Sequence, residues 1–179
     1  MTKITEVLLD CDGILSNFPE AACKAHGREY VLEEITSFNW YQDIWEMSSK
    51  EFWQQIRGHD FWYNMEPYPW AKELIELLDY EFTIVTSPSL DSAFATARTD
   101  WLYHHFKIRI PDIMIGSKKF LMANPAHLLI DDRDENIDSF TKRGGRAVTF
   151  PQPWNRGREY SNMRMQRLKD LLTMAGVVE

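Results

Sequence analysis

Residues 4–13 read ITEVLLDCDG: the apolar run from Ile4 to Leu9 stops at Asp10-Cys11-Asp12 and a glycine, Gly13. A run this short, closed by a turn residue, predicts a buried strand breaking into a loop. The same arrangement recurs down the chain. Phe82-Thr83-Ile84-Val85 stops at Thr86-Ser87-Pro88, and Ile113-Met114-Ile115 stops at Gly116-Ser117. Leu128-Leu129-Ile130 stops at Asp131-Asp132, and Ala147-Val148-Thr149-Phe150 stops at Pro151. Helical patterns over 70–78, 92–104, 135–142 and 163–174 separate these runs. Strands alternating with helices predict an α/β fold, a parallel sheet with helices on both faces, whose ligands gather at the carboxyl ends of the strands.

Residues 17–66 break the alternation. They hold no strand-like run and are dense in Phe, Trp and Tyr. They predict a small helical cap inserted after the first strand, so that 1–16 and 67–179 form the catalytic core and 17–66 the cap over the strand ends.

Length and charge set the outer limits. A chain of 179 residues, 44% hydrophobic and 26% charged, predicts one globular domain carrying one insertion. The net charge of −7 and the lack of a basic stripe speak against duplex nucleic acid as a partner. The two cysteines, Cys11 and Cys23, are too few for a disulfide scaffold, which fits a reducing cytoplasm. The N-terminal apolar run is too short for a signal peptide, and no stretch is long enough to span a bilayer, so no membrane partner is expected. A homodimer is compatible with the sequence but not required by it.

Chemistry concentrates at the strand ends. Asp10 and Asp12 flank Cys11, and alternate side chains in an extended segment point the same way. One carboxylate can attack phosphorus while the other protonates the leaving oxygen and later deprotonates water. Alone, Asp-x-Asp is equally a turn or a loop cation pair. Asp131-Asp132 ends another strand, where adjacent carboxylates are costly without a compensating cation. With Asp10 they offer oxygen ligands suited to Mg²⁺, although Asp132 also reads as a helix N-cap ahead of Arg133-Asp134-Glu135. Thr86 and Ser87 offer hydroxyls to phosphate oxygens, or form an ordinary turn before Pro88. Lys118 and Lys119 offer an ammonium for the attacked phosphate, or a solvated basic pair.

Other features carry less. His26, His59, His104, His105 and His127 lack zinc-site spacing, and neither glycine-rich nucleotide fingerprint occurs. Gly144-Gly145 reads as a helix C-cap, and Arg156, Arg158, Arg164 and Arg167 as a solvated helix face.

The order Asp-x-Asp, Thr/Ser, Lys, Asp-Asp at successive strand ends, together with DCDGILSNF, resembles the four motifs of the haloacid dehalogenase-like phosphohydrolases. Within that superfamily, IVTSPS, HDFWYNMEPYPWAKEL and LLIDDRDENIDSF are similar to the 5′(3′)-deoxyribonucleotidases of bacterial and phage type. The resemblance implies a Rossmann-like core and a Mg²⁺-dependent phosphomonoesterase acting on nucleoside monophosphates through an aspartyl-phosphate. It implies Asp10 as nucleophile and metal ligand, and Asp12 as general acid/base whose carbonyl also binds Mg²⁺. Asp131 and Asp132 would complete the metal site, while Thr86, Ser87 and a lysine would bind phosphate. Lys119 matches the spacing to Asp131-Asp132 better, with Lys118 as the alternative.

Substrate choice is expected in the cap, where Phe18, Trp40, Trp45, Phe61 or Trp62 could stack a base at about 1–3 kcal/mol per base. Most of these rings are expected to form the cap's own core. Two alternatives stay open: a phosphatase for a sugar phosphate, phosphoglycolate or nucleic-acid 3′-phosphate, and a phosphate-accepting receiver module. Receivers take phosphate on a later strand and lack an aromatic insertion after the first.

Overall fold

The computed structural model describes residues 2–79 and 81–179. Strands β1 (Glu6–Leu9), β2 (Thr83–Thr86), β3 (Ile113–Ile115), β4 (His127–Asp131) and β5 (Arg146–Thr149) make one parallel sheet in the order β3-β2-β1-β4-β5. Each of the five apolar runs is a strand. The chain winds outward from β1 through β2 to β3, then returns to β4 on the other side of β1 and continues to β5. β1 and β4 are therefore neighbours whose connections leave in opposite directions, which opens a crevice beyond their carboxyl ends. Asp10 follows β1 and Asp131 closes β4, so the acidic residues stand at that crevice.

Side chains alternate across the pleat. Leu8, Val85 and Leu129 share one face and pack with Phe140 of the helix that follows β4. Val7, Leu9, Ile84, Leu128 and Ile130 belong to the larger cluster, together with Leu74, Ile75, Leu168 and Leu172 from helices on the other face. Each such side chain, fully buried, stabilises the fold by about 1.5–3 kcal/mol.

Between β1 and β2 lie the helices α1 (Phe18–Ala25), α2 (Trp40–Asp43), α3 (Ser49–Gln55), α4 (His59–Tyr63) and α5 (Ala71–Leu77). Local signals start two of them: Asn17 accepts from the Glu20 N–H at α1, and Ser48 and Glu51 make a reciprocal capping box at α3. α1 to α4 are too short to stand alone and are held by aromatic packing. Phe52, fully buried, stacks on Tyr41 at 3.9 Å and on His26 at 5.2 Å and meets Trp40 edge-on at 5.6 Å.

α6 (Phe94–Phe106) follows β2, α7 (Asp134–Lys142) follows β4, and α8 (Arg164–Ala175) closes the chain. Asp132 does not cap α7, contrary to one reading of the sequence. The Arg133 N–H donates instead to Asp131 Oδ1 at 2.8 Å, and Asp132 turns away towards the loop after β5. The arginines 156, 158, 164 and 167 likewise do not share one solvated helix face. Arg156 bonds Asp134 and Asp138 at 2.8 Å each, ahead of a 3₁₀ turn at Arg158–Met163, and Arg164 lies 4.0 Å over the Trp70 ring. No helix of the described residues is long and apolar enough to cross a membrane.

Candidate active site

The ladder between β1 and β4 continues one residue past β1, with the Asp10 N–H donating to the Ile130 carbonyl at 3.0 Å. That bond fixes Asp10 beside Asp131. Lys119, at the start of a 3₁₀ turn (Lys119–Met122), enters between them: Nζ lies 2.7 Å from Asp10 Oδ1 and 2.7 Å from Asp131 Oδ2. Lys118 is the exposed residue ahead of that turn. Of the two lysines, the site contains Lys119.

Asp10, Asp131 and Asp132 are buried, and one carboxylate oxygen from each lies within 4.8 Å of the others. Burial pushes the Asp10 carboxyl up to about 7, against the opposing pull of Lys119 and with Asp131 adding to the rise. Burial, then repulsion from Asp10 and Asp131, holds Asp132 well above the usual carboxylate range. Burial disfavours the Lys119 ammonium, but Asp10 and Asp131 outweigh it and keep Lys119 charged. With all three ionised, the carboxylates exceed the Lys119 ammonium by two negative charges, so the charged form needs the charge of one divalent cation beside it. The donor set is all oxygen, which suits a hard divalent metal.

Neighbours fix the carboxylates of Asp131 and Asp132. Asp131 accepts from the Arg133 N–H and from Asn136 Nδ2 at 3.2 and 3.0 Å. Asp132 Oδ2 accepts from the Trp154 indole at 2.8 Å, and its carbonyl from Asn155 Nδ2 at 2.8 Å. Gly13 is the one glycine the site demands: its φ is +80°, and an added Cβ would stand 2.2 Å from Asp132 Oδ2.

Asp12 sits one pleat beyond Asp10. Its Oδ1 accepts from Ser16 Oγ at 2.6 Å and from Arg98 Nη2 at 2.6 Å. Cys11, between the two aspartates, points into the core, and burial pushes its thiol up to about 12. Thr86 at the end of β2 is fully buried with no partner for its hydroxyl, and Ser87 beside it is exposed.

Asp10, Asp12, Thr86, Ser87 and Asp132 line one cleft of about 340 Å³, within the range of small-molecule sites. Phe18 and Trp40 join its lining. Trp45 lies outside it: the ring meets Trp40 edge-on at 4.6 Å and carries the Arg28 guanidinium at 5.4 Å, so it supports the wall from behind. Phe61 is also absent from the lining, whereas Trp62 belongs to it. Phe38, Phe52, Trp53, Asn136 and Trp154 line the cleft too. Sequence reasoning passed over them, together with Ser16 and Arg98. Their local patterns are those of ordinary core or loop residues, and only the fold brings them to the site.

A haloacid dehalogenase-like protein of unknown function from Agrobacterium tumefaciens superposes with a TM-score of 0.64 at 13% identity, covering 97% of this chain and 99% of its own. A haloacid dehalogenase-like hydrolase from Streptococcus pneumoniae does so with a TM-score of 0.56 at 14% identity, covering 96% and 100%. At these identities the likeness establishes the fold. Among curated proteins, none matches the chain in sequence. The family model described as 5′ nucleotidase, deoxy (Pyrimidine), cytosolic type C protein matches residues 3–177. That match sets aside the receiver alternative, because it spans the insertion as well as the strand ends. The chain belongs to this 5′ nucleotidase family of haloacid dehalogenase-like fold and is a phosphoric monoester hydrolase.

Proposed function

We propose that the protein hydrolyses nucleoside monophosphates through an aspartyl-phosphate on Asp10, with Mg²⁺ bound by Asp10, Asp131, Asp132 and the Asp12 carbonyl. The observation that carries this reading is the ion pairing of the buried Lys119, at 2.7 Å from both Asp10 and Asp131, directly behind a cleft that Asp10, Asp12 and Asp132 line. Bound Mg²⁺ would offset the charge that otherwise repels a phosphate from these carboxylates.

Asp10 Oδ1 already accepts from Lys119 and from the Cys11 N–H at 2.8 Å. Oδ2 is the oxygen left to attack phosphorus. As the new P–O bond forms, the ester P–O bond breaks, and the departing oxygen takes the proton of Asp12. Water then attacks the same phosphorus and gives a proton back to Asp12, and the bond to Asp10 breaks. Lys119 neutralises the non-bridging oxygens, and the unpartnered Thr86 hydroxyl and Ser87 bind them.

A nucleoside is the substrate that uses the aromatic wall, since Phe18 and the exposed Trp53 line the cleft where a base could stack, with Trp62 packed behind Phe18, and a sugar phosphate would leave them unused. The helical segment 17–66 acts as the cap that carries this wall. The family description directs attention to deoxypyrimidine nucleotides first. Phosphate release from deoxy- and ribonucleoside 5′- and 3′-monophosphates and from small sugar phosphates, with Mg²⁺ or EDTA, tests the reading. Mg²⁺-dependent release led by nucleotides is expected. A panel led by sugar phosphates would overturn the substrate assignment.

A further inference from the structure

Arg98 is the one fully buried arginine among the described residues, and nothing in the reaction above uses it. It lies on α6, with the rings of Phe94, Trp101 and Trp62 at 5.3, 5.5 and 6.0 Å from its Cζ. A guanidinium at such a place is costly unless it is paired with a charge. Its partner is Asp12, through Nη2 to Oδ1 at 2.6 Å, while Nη1 reaches Cys11 Sγ at 3.3 Å. The aromatic cage fixes the fork in place, and two ends of the chain's chemistry meet there, 86 residues apart in sequence.

The detail that matters is which oxygen is held. Ser16 Oγ donates to the same Oδ1 at 2.6 Å. Arg98 can only donate, and with Ser16 donating as well both lone pairs of Oδ1 are engaged, which favours protonation on Oδ2. Asp12 keeps 30% of its side chain exposed and lines the cleft. We propose that Arg98 is a positioning residue for the general acid: with Ser16 it holds Asp12 by Oδ1, so that the proton is carried on Oδ2 and passes to the ester oxygen as the P–O bond breaks. Trp62 belongs to α4 of the helical insertion, so the cage is built from both parts of the chain. This inference rests on the role of Asp12 given under the proposed function.

Leaving-group dependence separates positioning of an acid from general damage. A nucleoside alkoxide needs a proton to leave, whereas p-nitrophenolate does not. kcat/KM for a nucleoside 5′-monophosphate and for p-nitrophenyl phosphate is measured for wild type, Arg98→Lys, Arg98→Met, Asp12→Asn and the Asp12→Asn/Arg98→Lys pair, with circular-dichroism melting of each. Loss of a general acid costs about 10²–10⁴-fold. Arg98→Met is expected to lose about 100-fold on the nucleotide and only a few-fold on p-nitrophenyl phosphate. Arg98→Lys keeps a charge in the cage, so it folds even if the Met variant does not, and it shows the same split at about 10-fold. Added to Asp12→Asn, Arg98→Lys causes little further loss.

Equal losses on the two substrates, no loss on either, or full additivity with Asp12→Asn would overturn the inference. Absence of nucleotide turnover in wild type would sink the nucleotidase reading instead, and the two failures are told apart by the wild-type rates alone.

Discussion

The Trp154 indole N–H donates to Asp132 Oδ2 at 2.8 Å, on the side of the carboxylate that faces Gly13. The loop after β5 thereby sets the orientation of a residue at the end of β4. One oxygen of Asp132 is committed to the protein, and in the proposed metal site the other is the one left to bind Mg²⁺. Residues that orient a ligand in this way change metal affinity by about 10–100-fold when removed.

Trp154→Phe keeps the ring and removes the donor. It is expected to weaken Mg²⁺ binding by about 10-fold with little change in the melting temperature of the metal-free protein. Calorimetric titration with Mg²⁺ measures this directly. Unchanged affinity would mean that the loop does not orient Asp132.

Gly13→Ala meets two obstacles at once: a φ of +80° and a Cβ 2.2 Å from Asp132 Oδ2. The backbone conformation alone costs about 1–3 kcal/mol in a residue with a side chain. Because the clash falls on Asp132, the variant should lose stability in urea and also lose its stabilisation by Mg²⁺. A variant destabilised but still stabilised by Mg²⁺ like wild type would show that Asp132 has room to move.

Asp91 anchors the helical insertion to the loop after β2. Its Oδ2 accepts from the Gly58 N–H at 2.6 Å and from the Trp62 indole at 2.9 Å, and its Oδ1 from the Ala93 N–H at 3.1 Å. These bonds, that from Trp62 foremost, hold its pKa below the ordinary value. Between its folded and unfolded pKa values, the unfolded chain binds more protons. The contribution of Asp91 is therefore complete above the unfolded value of about 3.9 and disappears as pH falls through the lower folded value. Asp91→Ala should be less stable than wild type at pH 7, with the gap narrowing in acid. A gap that stays constant from neutral pH down to the acid limit of folding would contradict this.

Removing divalent metal should destabilise the wild-type protein, because Asp10, Asp131 and Asp132 are then balanced by Lys119 alone. The melting temperature is expected to fall with EDTA and to rise with Mg²⁺ in a concentration-dependent way, following the mass action of a ligand bound only to the folded state. Asp132→Asn should reduce that response. A melting temperature indifferent to both EDTA and Mg²⁺ would remove the metal from the site.

What could be read in the sequence followed one physical rule. Each strand is an apolar run bounded by a polar or turn residue, and both signals are local, so β1 to β5 and the residues at their ends were legible: Asp10, Thr86, Asp131 and Asp132. The choice between Lys118 and Lys119 was not, because a 3₁₀ turn decides which of two adjacent side chains faces inward. Arg98 reads as one more polar residue on a helix, and Trp154 as part of a proline-bounded loop. Their partners lie 86 and 22 residues away, and only the closing of the sheet brings them together. In the insertion, a density of aromatic residues announced packing without saying which rings face the cleft. Trp40 and Trp62 do, whereas Trp45 and Phe61 do not, and helices of four to eight residues hold too few turns for periodicity to separate the two kinds.

The most direct test of the account is to quench the enzyme in acid during turnover of a nucleoside monophosphate and to locate any phosphoryl group by peptide mass spectrometry. The account predicts one phosphoryl group on the peptide containing Asp10 in wild type, and neither phosphoryl-enzyme nor phosphate release in Asp10→Asn. Phosphate release by Asp10→Asn at the wild-type rate, or a phosphoryl group on a different residue, would contradict it.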